Sequence, residues 1–215
     1  MENHHFYPIY INLHNKSCLI VGGGLVAERK VSNLLDYGAN VIVVSPQVTP
    51  IIDDYADKGL ITLIKRTFEP EDLDDIFIVF IATDDSDTNQ FIADLCRTRK
   101  ILVNAVDDPP NCDFFVPAVV RRGSLAVAIS TEGKSPMLAR HLRMELEDYF
   151  VAAYEEYVDL LGEYREIIKN NVPDINVRRK IFAALVNSDI LDLLKAGERL
   201  LARERVEQCI SSWQD

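Results

Sequence analysis

The residues best suited to chemistry begin with three consecutive glycines. Gly22, Gly23 and Gly24 follow an apolar run and precede a stretch of helix formers. Read with Ala27 as G-x-G-x-x-A, this pattern is typical of a strand, a tight turn and a helix that binds a pyrophosphate. The N-terminus of such a helix offers unpaired N–H groups and a positive dipole end. The alternative is a turn that needs glycine for its backbone alone.

Asp107 is a second candidate, because it directly follows the apolar run over residues 101–106. Parallel sheets bind ligands at the carboxyl ends of their strands, so this aspartate is expected near the reactive end of a dinucleotide. Removal of a hydride usually requires a base for the accompanying proton, and burial raises the pKa of a carboxyl group toward a useful range. The sequence therefore favours Asp107 as a catalytic base. The alternative, which is favoured for Asp108, is an aspartate that caps loop N–H groups.

The end of the predicted second strand departs from the usual dinucleotide pattern. An acidic residue normally stands about 20 residues past the glycines and binds the adenosine ribose hydroxyls. This sequence has Ser45, followed by Pro46 and Gln47. Ser45 and Gln47 offer hydrogen bonds to a ribose, whereas no basic residue stands ready for a 2′-phosphate. The pattern favours NAD over NADP.

Polar residues also follow the most apolar run of the chain, residues 76–82. Thr83, Asp84 and Asp85 stand at its end, where the crevice of a parallel sheet is expected. Thr83 and Asp84 are therefore candidate cofactor ligands. Aspartates at this point are equally typical of the start of the next helix.

The segment over residues 121–143 is locally basic within an acidic chain. It contains a polar, glycine-bearing loop, after which Ser135 and Pro136 are typical of a helix start. Such a concentration of hydroxyls and positive charge suits a substrate with several carboxylates, and the common alternative is a solvated charged face. The candidate substrate-binding residues are Ser130, Thr131, Lys134, Arg140 and His141.

The elements that must position these residues alternate between strands and helices over the first half of the chain. This order predicts a parallel, doubly wound sheet, and residues 7–13 are predicted as a short edge strand. Two strands, over residues 114–120 and 125–130, and one helix are predicted next, followed by helices only. The expected fold is α/β, with a Rossmann-like domain over residues 1–113, a small α+β segment over 114–150 and an all-helical domain over 151–215.

Composition narrows the class of protein further. The chain has 215 residues, with 23 Lys and Arg against 34 Asp and Glu, giving a formal net charge of −11. This balance disfavours nucleic acid as a partner. No apolar run approaches the roughly 18 to 20 residues of a membrane span, and no secretory signal is visible, so we expect a cytoplasmic protein without a membrane partner. The cysteines are far apart and the histidines lack ligand spacing, which predicts reduced thiols and no resident metal.

Four stretches, taken together, resemble a known family. They are Val21 to Lys30, Ile81 to Asp85, Asn104 to Asp107 and Ser130 to Arg140. In order and spacing they are similar to the precorrin-2 dehydrogenases of sirohaem synthesis, which include the N-terminal part of sirohaem synthases. The resemblance covers about residues 6–150, and the helical tail is also of the expected kind.

The resemblance implies an NAD-dependent oxidation of the tetrapyrrole precorrin-2 to sirohydrochlorin. It implies a homodimer in which residues 114–150 form much of the interface. Asp107 stands where the family has an aspartate implicated in catalysis, and Thr131 stands where some relatives have an active-site serine. Residues matching Leu25, Val26, Pro46 and Gln47 contact NAD in the family. The full set of expected cofactor ligands is Gly22, Gly23, Gly24, Leu25, Val26, Ser45, Pro46, Gln47, Thr83 and Asp84.

The resemblance leaves open whether ferrous iron is a second substrate. Some relatives also insert ferrous iron into sirohydrochlorin, whereas others only dehydrogenate. Two other classes compete with the main interpretation: an NAD-sensing regulatory domain of a transport system and a dehydrogenase of a small metabolite. The sensing domains usually keep the acidic residue after the second strand and lack the segment over residues 130–140.

Overall fold

The computed structural model describes residues 5–106 and 108–212. These residues divide into two compact units, one up to Val116 and one from Pro117 onward. The candidate base Asp107 lies outside the described residues. The predicted domain boundaries after residues 113 and 150 stay predictions.

The first unit is built on five parallel strands, as the alternating pattern predicts. They are β1 (Ser17–Val21), β2 (Asn40–Val44), β3 (Thr62–Ile64), β4 (Ile78–Ile81) and β5 (Leu102–Ala105). The order across the sheet is β3-β2-β1-β4-β5, so β1 lies at the centre between β2 and β4. This doubly wound order confirms the predicted Rossmann-like class and brings the ends of β1, β2 and β4 together.

Three helices bury their apolar sides against the sheet. They are α1 (Leu25–Asp36), α2 (Pro50–Asp57) and α3 (Ser86–Arg99). Residues of α1 and α2, including Val31 and Ile52, share one core cluster with Ile20. Residues of α3, including Ile92 and Cys96, share a second cluster with Leu19. Because β1 sends alternate side chains to both clusters, it is buried from both sides of the sheet.

Local sequence accounts for the helix ends. The helix α1 is followed by Gly38, whose φ of 68° suits glycine. Thr49 caps α2, because its side chain accepts a hydrogen bond from the Ile52 N–H at 3.3 Å. Asp85 caps α3 in the same way by accepting from the N–H groups of Asp87 and Thr88.

Two predicted strands differ from the structure. Residues 7–13 form no strand, because their alternating large side chains stay in solvent: Tyr7 is 85% exposed and Tyr10 is 68% exposed. The strand predicted from residue 114 begins at Ala118 instead. Pro117 has no N–H to give to a ladder, and the Phe114 ring packs edge-on against Phe80, with centroids 5.5 Å apart.

The second unit contains an antiparallel hairpin and five helices. The hairpin pairs β6 (Ala118–Arg122) with β7 (Leu125–Ile129). The helices are α4 (Pro136–Tyr149), α5 (Ala153–Asn171), α6 (Ile175–Val186), α7 (Ile190–Lys195) and α8 (Arg199–Ser211). Among the described residues, no helix is both long and apolar enough to cross a membrane.

The core of the second unit lies among α5, α6, α7 and α8. In α5 the most buried side chains of this core are Tyr157, Leu160, Tyr164 and Ile168, and the partly buried Tyr154 and Leu161 pack against the same cluster. In α4 only Ala139 is buried, while Met137 is 71% exposed.

Candidate functional site

The glycine turn is fixed by neighbours that are distant in sequence. Gly22 has a φ of 118°, and a Cβ there would lie 2.1 Å from the Ala82 carbonyl oxygen. A Cβ on Gly23 would lie 2.1 Å from the Gln47 carbonyl oxygen. Both glycines are therefore required by the protein itself, because the loops after β2 and β4 press against the turn.

Gly24 is different, because nothing lies within 4 Å of the position that its Cβ would take. Its φ of −82° and ψ of −172° are open to any residue. It occupies the N-cap of α1, and no side chain caps that helix. The free N–H groups of α1 and the space beside Gly24 fit a pyrophosphate.

A cleft of about 600 Å³ opens beside this turn at the carboxyl ends of the parallel strands. Most of the predicted cofactor ligands line it. Gln47 does not line the cleft and is exposed. The predicted residues that do line it are Gly22, Gly23, Gly24, Leu25, Val26, Ser45, Pro46, Thr83 and Asp84.

Ser45 is buried at the cleft, and its hydroxyl already has an acceptor. The Ser45 Oγ donates to the Gln47 carbonyl oxygen at 2.7 Å. A hydroxyl has a single proton, so Ser45 offers a ribose only its lone pairs in this arrangement. Its hydrogen bond instead shapes the turn that packs over Gly23.

The loop after β4 is held by a buried amide. The Thr83 Oγ1 donates to the Asn89 Oδ1 at 2.5 Å, and the Asn89 Nδ2 donates to the Thr83 carbonyl oxygen at 3.1 Å. Hydrogen bonds from the Thr88 hydroxyl, followed by those from backbone N–H groups, lower the pKa of the Asp85 carboxyl group. Asp85 is thus a helix cap, while Asp84 remains exposed on the cleft wall.

Two aromatic cleft residues escape sequence reasoning. Phe68 and Phe91 line the cleft, with ring centroids 6.5 Å apart in an edge-on arrangement. Phe91 is 50% exposed although it lies on a helix of a well-packed domain. The sequence gives one indication for Phe91, which is an aromatic residue on the solvent-facing side of α3. It gives none for Phe68, which lies in a loop without any pattern.

The basic residues nearest in sequence to Phe68 are occupied. The Lys65 ammonium lies 2.7 Å from an Asp53 carboxylate oxygen. Arg66 donates two hydrogen bonds to Asp72, at 2.8 and 2.7 Å, and this pairing lowers the pKa of the Asp72 carboxyl group. Neither cation is free for a 2′-phosphate, in keeping with the predicted preference for NAD.

The loop after β5 carries the candidate base, and its described residues are tightly bonded. The Val106 N–H donates to the Ile81 carbonyl oxygen at 3.0 Å. The Lys30 ammonium lies 5.1 Å from the Phe80 ring centroid. Burial lowers the pKa of Lys30, and burial raises the pKa of the nearby Cys112 thiol.

In the second unit, the loop over residues 130–135 is closed by its own hydrogen bonds. The Ser130 hydroxyl oxygen accepts from the Glu132 N–H, and the Thr131 hydroxyl oxygen accepts from the Ser135 N–H, both at 3.0 Å. The Ser135 hydroxyl oxygen in turn accepts from the Leu138 N–H at 3.3 Å and caps α4. The hydroxyl protons of Ser130 and Thr131 remain available to an acceptor.

The predicted basic cluster is partly neutralised. Arg143 pairs with Glu147, and the His141 Nε2 lies 3.3 Å from a Glu145 carboxylate oxygen. Lys134 and Arg140 are exposed, and the structure gives neither of them an ion pair within the described residues. Over residues 5–106 and 108–212, no group of three or more His, Cys, Asp or Glu side chains is arranged to hold a metal ion.

The parallel sheet, the glycine turn and the open helix N-terminus define a Rossmann-type NAD(P)-binding protein. Three family models match consecutive parts of the chain. The model described as putative NAD(P)-binding matches residues 9–118, the sirohaem biosynthesis protein central model matches 122–149, and the sirohaem synthase dimerisation region matches 153–210. The chain therefore belongs to the NAD(P)-binding family of sirohaem biosynthesis.

Individual proteins agree with this assignment. The chain is 39% identical over 210 residues to a siroheme synthase of Thioalkalivibrio sulfidiphilus, and 34% identical over 203 residues to siroheme synthase 1 of Serratia proteamaculans. These alignments include 98% and 94% of this chain and 43% of each relative, so the chain spans less than half the length of these relatives. A solved structure named SirC, precorrin-2 dehydrogenase, is similar with a TM-score of 0.77 at 28% identity. That match covers 95% of this chain and 98% of SirC.

Proposed function

We propose that this chain catalyses the NAD-dependent dehydrogenation of precorrin-2 to sirohydrochlorin. The observation that carries the proposal is the match over nearly the full length of a protein named precorrin-2 dehydrogenase. The open space at Gly24 and the uncapped N-terminus of α1 support a dinucleotide as the oxidant. The sirohaem models over residues 122–149 and 153–210 favour this function over an NAD-sensing domain.

The chain's own residues would bind both reactants. Bound NAD supplies the hydride acceptor. The N–H groups of α1 beside Gly24 would bind its pyrophosphate, and the cleft walls would hold the rest of the cofactor. The proposed ligands are Gly22, Gly23, Gly24, Leu25, Val26, Ser45, Pro46, Gln47, Thr83 and Asp84, with Gln47 acting from the exposed edge of the cleft.

Asp107 would act as the base. The reaction removes a hydride and a proton from the tetrapyrrole, and a carboxylate after a core strand suits the proton transfer. Lys134 and Arg140 would bind carboxylates of the substrate through charge-assisted hydrogen bonds, aided by Ser130, Thr131 and His141.

The test is an anaerobic incubation of purified protein with precorrin-2 and NAD. We expect NADH and the sirohydrochlorin spectrum to appear together in equal amounts. We expect Asp107→Asn to lower kcat by at least about 100-fold without changing the NAD dissociation constant. The exposed Asp57 at the end of α2 gives the matched control, Asp57→Asn. Absence of NADH with the unaltered protein would contradict the proposal, and full activity of Asp107→Asn would remove Asp107 from the mechanism.

The same preparation tests ferrous iron as a second substrate, which the family resemblance leaves open. Ferrous ion is added anaerobically to sirohydrochlorin with and without protein, and formation of sirohaem is followed by its spectrum. A rate above the protein-free rate supports insertion of iron, and equal rates exclude it under these conditions.

We also infer that two copies of the chain form a homodimer. The dimerisation region that matches residues 153–210 supports this inference, and the exposed Met137 and Met144 offer a second apolar surface on α4. Sedimentation of Met144→Asp and of Leu200→Asp, on the exposed side of α8, tests two different surfaces. We expect Met144→Asp to give monomers, because the family resemblance places residues 114–150 at the interface. Monomers from Leu200→Asp would place α8 at the interface as well, within the matched dimerisation region. An unaltered protein that sediments as a monomer would contradict the homodimer.

A further inference from the structure

The loop that carries Asp107 returns along β5. After Ala105 the chain leaves the strand, and at Cys112 it pairs again with Asn104 in an antiparallel bridge. The Asp113 N–H donates to the Val103 carbonyl oxygen at 2.8 Å, and the Asp113 carboxylate accepts from the Val103 N–H at 3.0 Å. Both ends of the loop are thus fixed to the sheet. Residues 108–111, between these ends, are held by other contacts.

A buried amide supplies those contacts. Asn111 is only 6% exposed. Its Nδ2 donates to the Asp108 Oδ2 at 2.7 Å and to the Gln90 Oε1 at 2.9 Å. Its Oδ1 accepts from the Arg97 Nη2 at 2.7 Å. Both amide protons and the carbonyl oxygen are therefore used, which makes this a fully satisfied polar network.

The network joins the loop to α3. Gln90 and Arg97 both belong to α3, and Arg97 also donates to the Pro110 carbonyl oxygen at 3.0 Å. Asp108, which the amide contacts directly, is the neighbour of Asp107 in the chain. Because Asn111 is buried while Gln90 and Arg97 are exposed, another arrangement of the loop would leave the Asn111 amide without a partner.

We propose that Asn111, by holding residues 108–111 against α3, is a positioning residue for the proton transfer assigned to Asp107. The proposal rests on the function proposed above. A displacement of about 1 Å of a catalytic group can lower the rate by about 100-fold. Neither Asn111 nor its three side-chain partners line the cleft beside Gly24, so the effect falls on turnover rather than on NAD affinity.

The main test exchanges the side chains at positions 108 and 111, which form the contact of 2.7 Å within the loop. In Asn111→Asp, two carboxylates face each other, and the introduced carboxylate cannot donate to Gln90. In the double variant with Asp108→Asn, an amide again faces a carboxylate. The Gln90 amide can turn its Nε2 from Asp94 to donate to position 111, and Asp94 keeps its pairing with Arg97. We expect kcat to fall by about 10- to 100-fold in Asn111→Asp and to recover at least about tenfold in the double variant. The NAD dissociation constant is expected to stay within about twofold of the unaltered protein.

Two arginines of α3 give a matched pair of variants. Arg97 reaches the Asp107 loop, whereas Arg99, two residues later, donates to Asp74 at 2.7 Å. We expect Arg97→Ala to lower kcat and Arg99→Ala to leave it unchanged. Equal effects of the two variants would indicate a general effect on α3 and would overturn the proposal.

Amide hydrogen exchange gives a readout that does not need activity. The N–H groups of Asn111, Cys112 and Asp113 are hydrogen-bonded in the structure, at 3.0, 3.2 and 2.8 Å. We expect their exchange to accelerate at least about tenfold in Asn111→Asp, and to slow again in the double variant. Unchanged exchange, or a loss of kcat matched by an equal loss of NAD affinity, would overturn the positioning role. If the unaltered protein produces no NADH, the proposed function fails, and the exchange data still decide whether Asn111 holds the loop.

Discussion

The turn over residues 22–24 and the loop over residues 130–135 both contain glycine and precede helices, and they use their polar groups in opposite ways. The turn over residues 22–24 leaves α1 without any side-chain cap and leaves open space beside Gly24. The loop over residues 130–135 is closed by the hydroxyls of Thr131 and Ser135, and Pro136 begins α4 without an N–H.

The difference shows how each loop can recognise an anion. The N–H groups of α1 are free, so backbone and dipole can bind a phosphate there. At α4 Pro136 has no N–H and the Leu138 N–H is capped by Ser135, so we expect recognition to depend more on charged side chains such as Lys134 and Arg140. A backbone site suits the constant pyrophosphate of a cofactor, whereas side chains suit carboxylates spread around a macrocycle.

The largest effect on stability is expected at Gly22, where the turn over residues 22–24 packs against the loop after β4. Gly22→Ala would place a Cβ 2.1 Å from the Ala82 carbonyl oxygen at a φ of 118°. We expect a loss of about 3 kcal/mol or more in the free energy of unfolding. Gly59→Ala is the control, because Gly59 has a φ of 68° with nothing within 4 Å, and we expect it to lose about 1 kcal/mol. Chemical denaturation measures both, and equal losses would mean that contact with Ala82 is unimportant.

Gly24, which faces open space in the same turn, allows cofactor binding to be tested separately from folding. We expect Gly24→Ala to change the free energy of unfolding by less than about 1 kcal/mol, because the gain from a more restricted unfolded chain is offset by the lower preference for alanine at an N-cap. The methyl group would occupy the space proposed for the pyrophosphate. We therefore expect NAD affinity to fall by about 100-fold, or about 2.7 kcal/mol, in calorimetric titration. Unaltered affinity would show that α1 does not bind the cofactor through this end.

The side chains of the second loop are expected to act on the other substrate. Lys134→Gln and Arg140→Gln should each raise KM for precorrin-2 about tenfold, because each removes a charge-assisted hydrogen bond worth about 1.5 kcal/mol. The NAD dissociation constant should not change. Arg143→Gln is the matched control, since Arg143 already pairs with Glu147. An equal rise of KM in Arg143→Gln would indicate a diffuse electrostatic effect.

The smallest effect concerns the cap of α4. We expect Ser135→Ala to lower the free energy of unfolding by about 1 kcal/mol, as we expect of Thr49→Ala at the cap of α2. Thermal unfolding compares the two variants. Ser135→Ala also frees the Leu138 N–H, and we expect no gain in substrate affinity. A lower KM for precorrin-2 would show that α4 binds an anion through its backbone after all.

Much of this fold could be predicted because its signals are local. Apolar runs, a proline or capping residue before α2 and α4, and Gly38 after α1 indicate where the elements begin and end. The errors occurred where a pattern needed a distant partner. Residues 7–13 have strand-like alternation without a neighbouring strand, and the run predicted as a strand from residue 114 begins to pair only at Ala118.

The candidate site also contains residues that the sequence identifies and residues that it does not. The three glycines, Asp107 and the loop over residues 130–135 are recognisable in the sequence, because each follows a predicted strand. Phe91 and Asn111 are not, because nothing in their immediate sequence says that one lines a cleft and the other holds a loop. Their roles come from contacts with Phe68 and with Gln90, which lie more than 20 positions away in the chain.

The sequence by itself determined the order of strands and helices, the family and the place of the glycine turn, since these follow from short-range pattern and chain order. Only the tertiary structure decided what each glycine is for. Gly22 and Gly23 face carbonyl oxygens of Ala82 and Gln47, whereas Gly24 faces open space. That distinction arises because the sheet places β1 between β2 and β4, so loops from distant parts of the chain close on two glycines and leave the third free for a ligand.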